Sequence, residues 1–121
     1  MSPSKNRVKA FLSSNKKITK GLEKENLRSD SDGKISNKKY PSALGKFHFN
    51  NHVTLDYSEP HLEQFTPAFE DNTQLIIFLK NLHKFVESKI GDDRLWNYSM
   101  PPKFKKKFIN IPPFGESNIS K

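Results

Sequence analysis

One stretch of the chain, residues 73–90, repeats its apolar positions with the period of an α-helix. The apolar stripe consists of Leu75, Leu79, Leu82, Val86 and Ile90. Asp71, Asn72 and Thr73 stand just before it and are all good N-cap residues. Gly91 follows the last apolar position and is a natural left-handed terminator. The pattern therefore predicts an amphipathic helix at about 73–90.

The rest of the chain shows no sustained period. Residues 1–46 are rich in Lys, Ser and Asn, and only a thin apolar face near the start hints at a helix. Residues 47–57 alternate aromatic and polar positions, which is compatible with a short strand. Pro60 and Pro67 then bias the backbone to extended geometry. Two Pro pairs in residues 101–113 exclude a long helix there.

Composition adds to this picture. Only 33% of the residues are hydrophobic, and the mean hydropathy is −0.80. The apolar residues therefore look too scattered to enclose one core. We expect a mostly irregular, extended chain with one amphipathic helix, ordered by a partner rather than an autonomous globular domain. The predicted segments are a basic disordered arm 1–46, an acidic extended partner-binding segment 47–72, the helix 73–91 and a Trp/Pro/Phe/Lys-rich extended tail 92–121.

The sequence offers little support for catalysis. There is no cysteine, and no glycine-rich phosphate loop is present. His48, His52 and Asp56 are spaced by four, but that segment looks extended, so surface histidines are favoured over a metal site. The carboxylates show no clear acid/base pair. We expect no enzyme activity, no cofactor, no metal and no membrane span.

Several short motifs suggest binding or regulation. Lys103, Lys105, Lys106 and Lys107 are possible contacts to a nucleic-acid phosphate backbone. Ser2 precedes a proline and basic residues, which fits a phosphorylation site. Lys24, Glu25 and Asn26 spell a KEN degron.

The tail of the chain carries a family resemblance. Its residues Asn110, Ile111, Pro112, Pro113, Phe114 and Gly115 resemble the ending of small subunit 13 of the anaphase-promoting complex. A lone Trp96 stands upstream, and Pro60 and Pro67 enclose an acidic and apolar segment with Phe65, as in that family. All of these residues would then bind the partner.

The resemblance implies a non-catalytic adaptor that runs extended over tetratricopeptide-repeat subunits of this ubiquitin ligase during the cell cycle. Regularly spaced aromatic anchors suit such grooves. The alternatives are a ribosome- or RNA-associated basic protein, which binds nucleic acid, and a disordered regulator carrying the KEN degron as a substrate. The expected location is the nucleus and cytoplasm, or the mitochondrial matrix for the RNA alternative.

Overall fold

The computed structural model describes residues 3–14, 17–46, 50–105 and 109–112. In chain order the elements are helix α1 (Pro3–Ser13), strand β1 (Glu23–Ser29), a short 3-10 turn (Ser42–Leu44), strands β2 (Val53–Leu55) and β3 (His61–Phe65), helix α2 (Asn72–Lys89) and strand β4 (Arg94–Trp96). Neither helix in these parts of the chain is long and apolar enough to cross a membrane.

The four strands form one antiparallel sheet in the order β2-β3-β1-β4. The central strand β1 pairs with β3 so that Glu25 lies opposite Glu63 and Asn26 opposite Leu62. On its other side β1 pairs with β4, which places Leu27 opposite Trp96. Strands from distant parts of the sequence therefore meet on β1, and its side chains alternate between the two faces of the sheet.

One face of the sheet is covered by α2. The helix begins at Asp71, whose side chain accepts a hydrogen bond from the backbone N–H of Gln74, and Gly91 follows it with φ +65°. Its apolar stripe packs on the strands and the 3-10 turn. The resulting core contains Leu44, Val53, Leu62, Val86, Ile90 and Leu95, with Tyr40 and Leu82 at its margin. Burial of these side chains is the main stabilising contribution.

The expectation of a mostly irregular chain with one helix is wrong. The helix at 73–90 is present as α2, but four strands and a second helix accompany it. The strands have three to seven residues, too few to show a period in sequence. Strands β2, β3 and β4 each contribute one or two apolar core side chains, whereas the buried residues of β1 are polar or charged, and only the pairing brings the strands together. The division into four segments stays a prediction, although the sheet takes strands from three of them.

Leu62 is fully buried on β3, facing α2. We expect Leu62→Ala to lower the free energy of unfolding by about 2–5 kcal/mol, because the lost contacts leave a cavity. Leu12→Ala is the matched control, since Leu12 on α1 is 69% exposed. Urea denaturation followed by circular dichroism measures both. Equal losses for the two variants would contradict this assignment of the core.

Candidate metal-binding face

The face of the sheet opposite α2 is acidic. Glu23 and Glu25 on β1, and His61 and Glu63 on β3, alternate with residues that face the helix. Two carboxylates, Glu25 and Glu63, lie directly opposite each other across the strands. Like charges in that position destabilise a sheet. Such an arrangement indicates a function that requires the charges, or a cation that neutralises them.

Asp56 completes this cluster from the turn between β2 and β3. His61 lies between two carboxylates: its Nε2 is 3.3 Å from Glu25 Oε2, and its Nδ1 is 3.3 Å from Asp56 Oδ2. One ligand atom each of Glu25, Asp56 and His61 lies within 4.8 Å of the others. We call Glu23, Glu25, Asp56, His61 and Glu63 the acidic face.

The charge balance of the acidic face favours a cation. Partial burial, followed by the charges of Glu23, Asp56 and Glu25, raises the pKa of the Glu63 carboxyl, and His61 opposes the shift. The acidic face thus contains four carboxyl groups and one imidazole, and the imidazole pairs with two of them. Carboxylate oxygens are the ligands that Mg²⁺ and Mn²⁺ prefer, and one histidine suits Mn²⁺ as well. The residues therefore fit a divalent cation, although each His61 contact is also ordinary ion-pair geometry.

The opposite side of β1 carries a polar layer that joins the sheet to α2 and β4. Lys24 Nζ lies 3.1 Å from His83 Nδ1 and donates to Asn97 Oδ1 at 3.1 Å. Asn26 Nδ2 donates to the Trp96 carbonyl at 2.9 Å. Strand alternation therefore separates Glu25 from its two sequence neighbours. The degron role of Lys24, Glu25 and Asn26 stays a prediction.

The residues predicted to bind a partner do not form one surface. Pro60 is buried in the β2–β3 turn, whereas Pro67 is exposed. Trp96 lies on the distant strand β4, with its ring 4.9 Å from that of Tyr98. Phe65 ends β3, where its ring lies 6.2 Å from that of His52. Their partner-binding roles stay predictions.

The tail residues are described only in part. The Asn110 carbonyl accepts the backbone N–H of Glu59 at 2.8 Å, Ile111 is exposed, and Pro112 is half-buried. Lys103 and Lys105 are exposed, and the Lys103 backbone pairs with Gly33 and Ile35. The remaining predicted site residues, Ser2, Lys106, Lys107, Pro113, Phe114 and Gly115, lie outside the described residues.

Sequence reasoning missed the acidic face. Glu23 and Glu25 are two residues apart, as are His61 and Glu63, and this is the spacing that puts side chains on one face of a strand. That signal is present in the sequence. It was overlooked because the first pair lies in a segment interpreted as a disordered arm, and the second between two prolines interpreted as an extended partner-binding stretch.

Comparison with known proteins identifies the family. The family described as glutamate-cysteine ligase matches residues 5–121. The chain is 44% identical over 103 residues to the glutamate–cysteine ligase of Pseudoalteromonas translucida, which covers 84% of this chain and 20% of that protein. It is 39% identical over 126 residues to the enzyme of Pseudomonas putida, covering all of this chain and 24% of that protein. The chain belongs to the glutamate–cysteine ligase family.

Solved structures agree with the family. The crystal structure of glutamate–cysteine ligase from Francisella tularensis in complex with AMP matches 81% of this chain and 20% of its own, with a TM-score of 0.75 and 32% identity. A bifunctional glutathione synthetase from Pasteurella multocida matches 75% of this chain and 13% of its own, with a TM-score of 0.72 and 26% identity. The chain spans about a fifth of the length of the curated relatives it matches.

These findings correct the functional expectations. The resemblance to the anaphase-promoting complex is wrong, and so are the tetratricopeptide-repeat partners and the cell-cycle role that it implied. The expectation of a non-catalytic adaptor is also wrong, because the family is named for an enzyme of the ligase class. That resemblance depended on six tail residues, the upstream Trp96 and the short segment between Pro60 and Pro67, which are too few to identify a family against a match over residues 5–121.

The raised pKa of Glu63 has a consequence for stability. A carboxyl group whose pKa is higher in the folded than in the unfolded chain favours folding while it is protonated, and this contribution is lost as the pH rises through the folded pKa. At pH 7 the ionised Glu63 therefore opposes folding. We expect Glu63→Gln to raise the Tm at pH 7 by about 1–4 °C, and to have a smaller effect below pH 4.

Differential scanning calorimetry at both pH values tests this expectation. Glu70→Gln is the charge-matched control, because Glu70 is exposed and lies in an ion pair with Lys17, away from the sheet. A lower Tm for Glu63→Gln at pH 7 would show that Glu63 is stabilised by its surroundings, contrary to the electrostatics described here.

Proposed function

We propose that this member of the glutamate–cysteine ligase family uses the acidic face to bind divalent cations for an ATP-dependent ligase reaction. The observation that carries the proposal is the convergence of Glu25, Asp56 and His61 beside Glu63, whose carboxyl lies opposite that of Glu25 and has a raised pKa. Relatives that share 39–44% identity with the chain are glutamate–cysteine ligases. The Francisella structure that shares the fold holds AMP.

The chemistry of a ligase explains why such a face is useful. Joining a carboxylate of glutamate to the amine of cysteine forms a C–N bond and breaks a C–O bond. The oxygen leaves as part of inorganic phosphate once the carboxylate has accepted the terminal phosphoryl group of a nucleoside triphosphate. A bound Mg²⁺ would neutralise phosphate oxygens and orient them toward the carboxylate. Mg²⁺ usually takes one or two protein carboxylates and completes its shell with water and phosphate. The acidic face can supply the protein ligands.

The residues of the acidic face would then have different roles. Glu25 on β1 and Asp56, which directly follows β2, would supply carboxylate oxygens to the cation. His61, held between them, would bind the cation only as a neutral imidazole, or else hydrogen-bond a metal-bound water. A bound cation would lower the raised pKa of the Glu63 carboxyl, which lies opposite Glu25.

Mn²⁺ binding tests the site directly. We expect the chain to bind Mn²⁺, and Glu25→Gln or Asp56→Asn to weaken the affinity by about 10–100-fold, at least as much as loss of an outer-shell partner. Electron paramagnetic resonance of free Mn²⁺ measures the binding, with Glu70→Gln as the matched control. If the Glu25 and Glu70 variants bind Mn²⁺ equally, the acidic face is not the cation site.

A chimeric enzyme tests the activity. The segment of the Pseudomonas putida ligase that aligns with this chain would be replaced by the chain, since the alignment covers all of it. We expect the chimera to form the glutamate–cysteine dipeptide in the presence of ATP and Mg²⁺. Glu25→Gln within the chimera should lower kcat about 100-fold, the size of effect seen when one group that stabilises charge in an active site is removed.

The chimera carrying Glu70→Gln controls for the effect of removing a charge. If the chimera is active and its Glu25→Gln and Glu70→Gln variants have equal kcat values, the acidic face takes no part in the reaction. The correct fold of each variant is checked by circular dichroism before the assay.

A further inference from the structure

Arg28 is the most highly connected buried side chain in the described parts of β1. It is 1% exposed, and its Nη1 donates to Asp93 Oδ2 at 2.7 Å. Its Nη2 donates to three backbone carbonyls, those of Lys38 at 2.7 Å, Lys39 at 3.0 Å and Glu59 at 2.8 Å. One guanidinium group therefore connects three separate loops beneath the sheet.

The contact of Arg28 with Glu59 matters because Glu59 lies in the loop between Asp56 and His61. Residues 56–60 connect β2 to β3, with Asp56 at one end and His61 just after the other. The backbone N–H of Arg28 also donates to the Pro60 carbonyl at 2.7 Å, so Arg28 holds two consecutive carbonyls of this loop. Asp56 N–H donates to the His61 carbonyl at 3.1 Å, which closes the loop. A shift of Glu59 and Pro60 would therefore move both Asp56 and His61.

Asp93 holds the guanidinium of Arg28 in place. Its Oδ2 accepts from Ser36 Oγ at 2.6 Å as well as from Arg28, and its Oδ1 lies 3.1 Å from Lys38 Nζ. The carboxylate is thus held by three groups from two segments, and its side chain is 1% exposed. Arginine suits this place because its planar guanidinium donates hydrogen bonds in several fixed directions from separate nitrogens, whereas lysine has a single compact ammonium group.

We propose that Arg28 is a positioning residue for the cation site on the acidic face. Glu25 lies three residues before Arg28 on the same strand, and their side chains project from opposite faces of it. Strand β1 therefore supplies one cation ligand directly and, through the guanidinium, sets the place of Asp56 and His61 relative to that ligand. This inference rests on the proposed function, because it needs the acidic face to bind a cation.

A positioning role differs from a merely structural one in its measurable effect. A divalent cation needs its ligands at closely defined distances, and outer-shell groups that orient the ligands typically change affinity by about 10–100-fold. Loosening the β2–β3 loop should therefore weaken cation binding even in protein that is fully folded. A loss of core packing elsewhere should lower stability without changing the affinity.

Arg28→Lys tests this difference in the full chain. The variant keeps a positive charge near Asp93, but its single nitrogen cannot reproduce the two-nitrogen fork by which Nη1 bonds Asp93 and Nη2 bonds the three carbonyls. We expect Mn²⁺ affinity, measured by electron paramagnetic resonance, to fall about tenfold under conditions where circular dichroism shows folded protein, and the hyperfine pattern of bound Mn²⁺ to broaden. Val86→Ala, a core variant on α2, controls for lost stability and should bind Mn²⁺ as the parent chain does.

The outcomes separate the two proposals. If the parent chain does not bind Mn²⁺, the proposed function fails and the positioning role falls with it. If the parent chain binds and Arg28→Lys binds equally well, only the positioning role is overturned. Should Arg28→Lys not fold, the double variant with Arg28→Met and Asp93→Leu replaces the buried pair by apolar groups, which often preserves a fold. Parent-like affinity in that variant would also overturn the inference.

A measurement on the parent chain completes the test. Coupling between two sites is reciprocal, so a cation that binds better when the loop is held must also hold the loop more firmly. We expect Mg²⁺ to slow hydrogen exchange at two backbone amides. The amide of Arg28 donates to the Pro60 carbonyl, and the amide of His61 donates to the Ser58 carbonyl. Unchanged exchange at both amides with saturating Mg²⁺ would contradict the positioning role.

Discussion

The buried ion pair between Arg28 and Asp93 is the interaction on which the arrangement of the loops depends. Each side chain is 1% exposed, so each charge has lost its hydration. The loss is offset because the two groups bond each other and because both find further partners, including Ser36 Oγ and the Glu59 carbonyl. Among the described residues, Arg28 Nε is left without a hydrogen-bond partner. The geometry of the surrounding loops follows from the requirement to satisfy this pair.

The two faces of the sheet have opposite energetic characters. The face toward α2 buries Val53, Leu62 and Leu95 with the helix and stabilises the fold by removing apolar surface from water. The other face gathers carboxylates, two of them in direct opposition, and raises the pKa of Glu63. Strand alternation allows this separation, since neighbouring residues on one strand serve different purposes. A destabilised polar face on a stable apolar support is typical of functional sites.

The candidate site of this family member has no local sequence motif. The proposed cation site combines Glu25 with Asp56 and His61, which lie far from Glu25 in sequence, and none of these residues belongs to a known local metal-binding motif. The lysine runs and the KEN triplet are short and easily met by chance in a chain rich in Lys and Asn. Short motifs indicated a role in the cell cycle, whereas similarity over residues 5–121 shows membership of the glutamate–cysteine ligase family.

The sequence by itself determined helix α2, because its apolar stripe, the cap at Asp71 and the terminator at Gly91 are all local signals. It also contained the period-two spacing of Glu23 with Glu25 and of His61 with Glu63. Only the tertiary structure decided that these short segments are strands, because their pairing partners lie tens of residues away. The register of β1 against β3 then put Glu25 opposite Glu63, and hydrogen bonds connect Arg28 to Glu59 and Pro60 in the loop that follows Asp56. Long-range pairing has no signature in a three- to seven-residue window, so the site emerges only when the sheet is assembled.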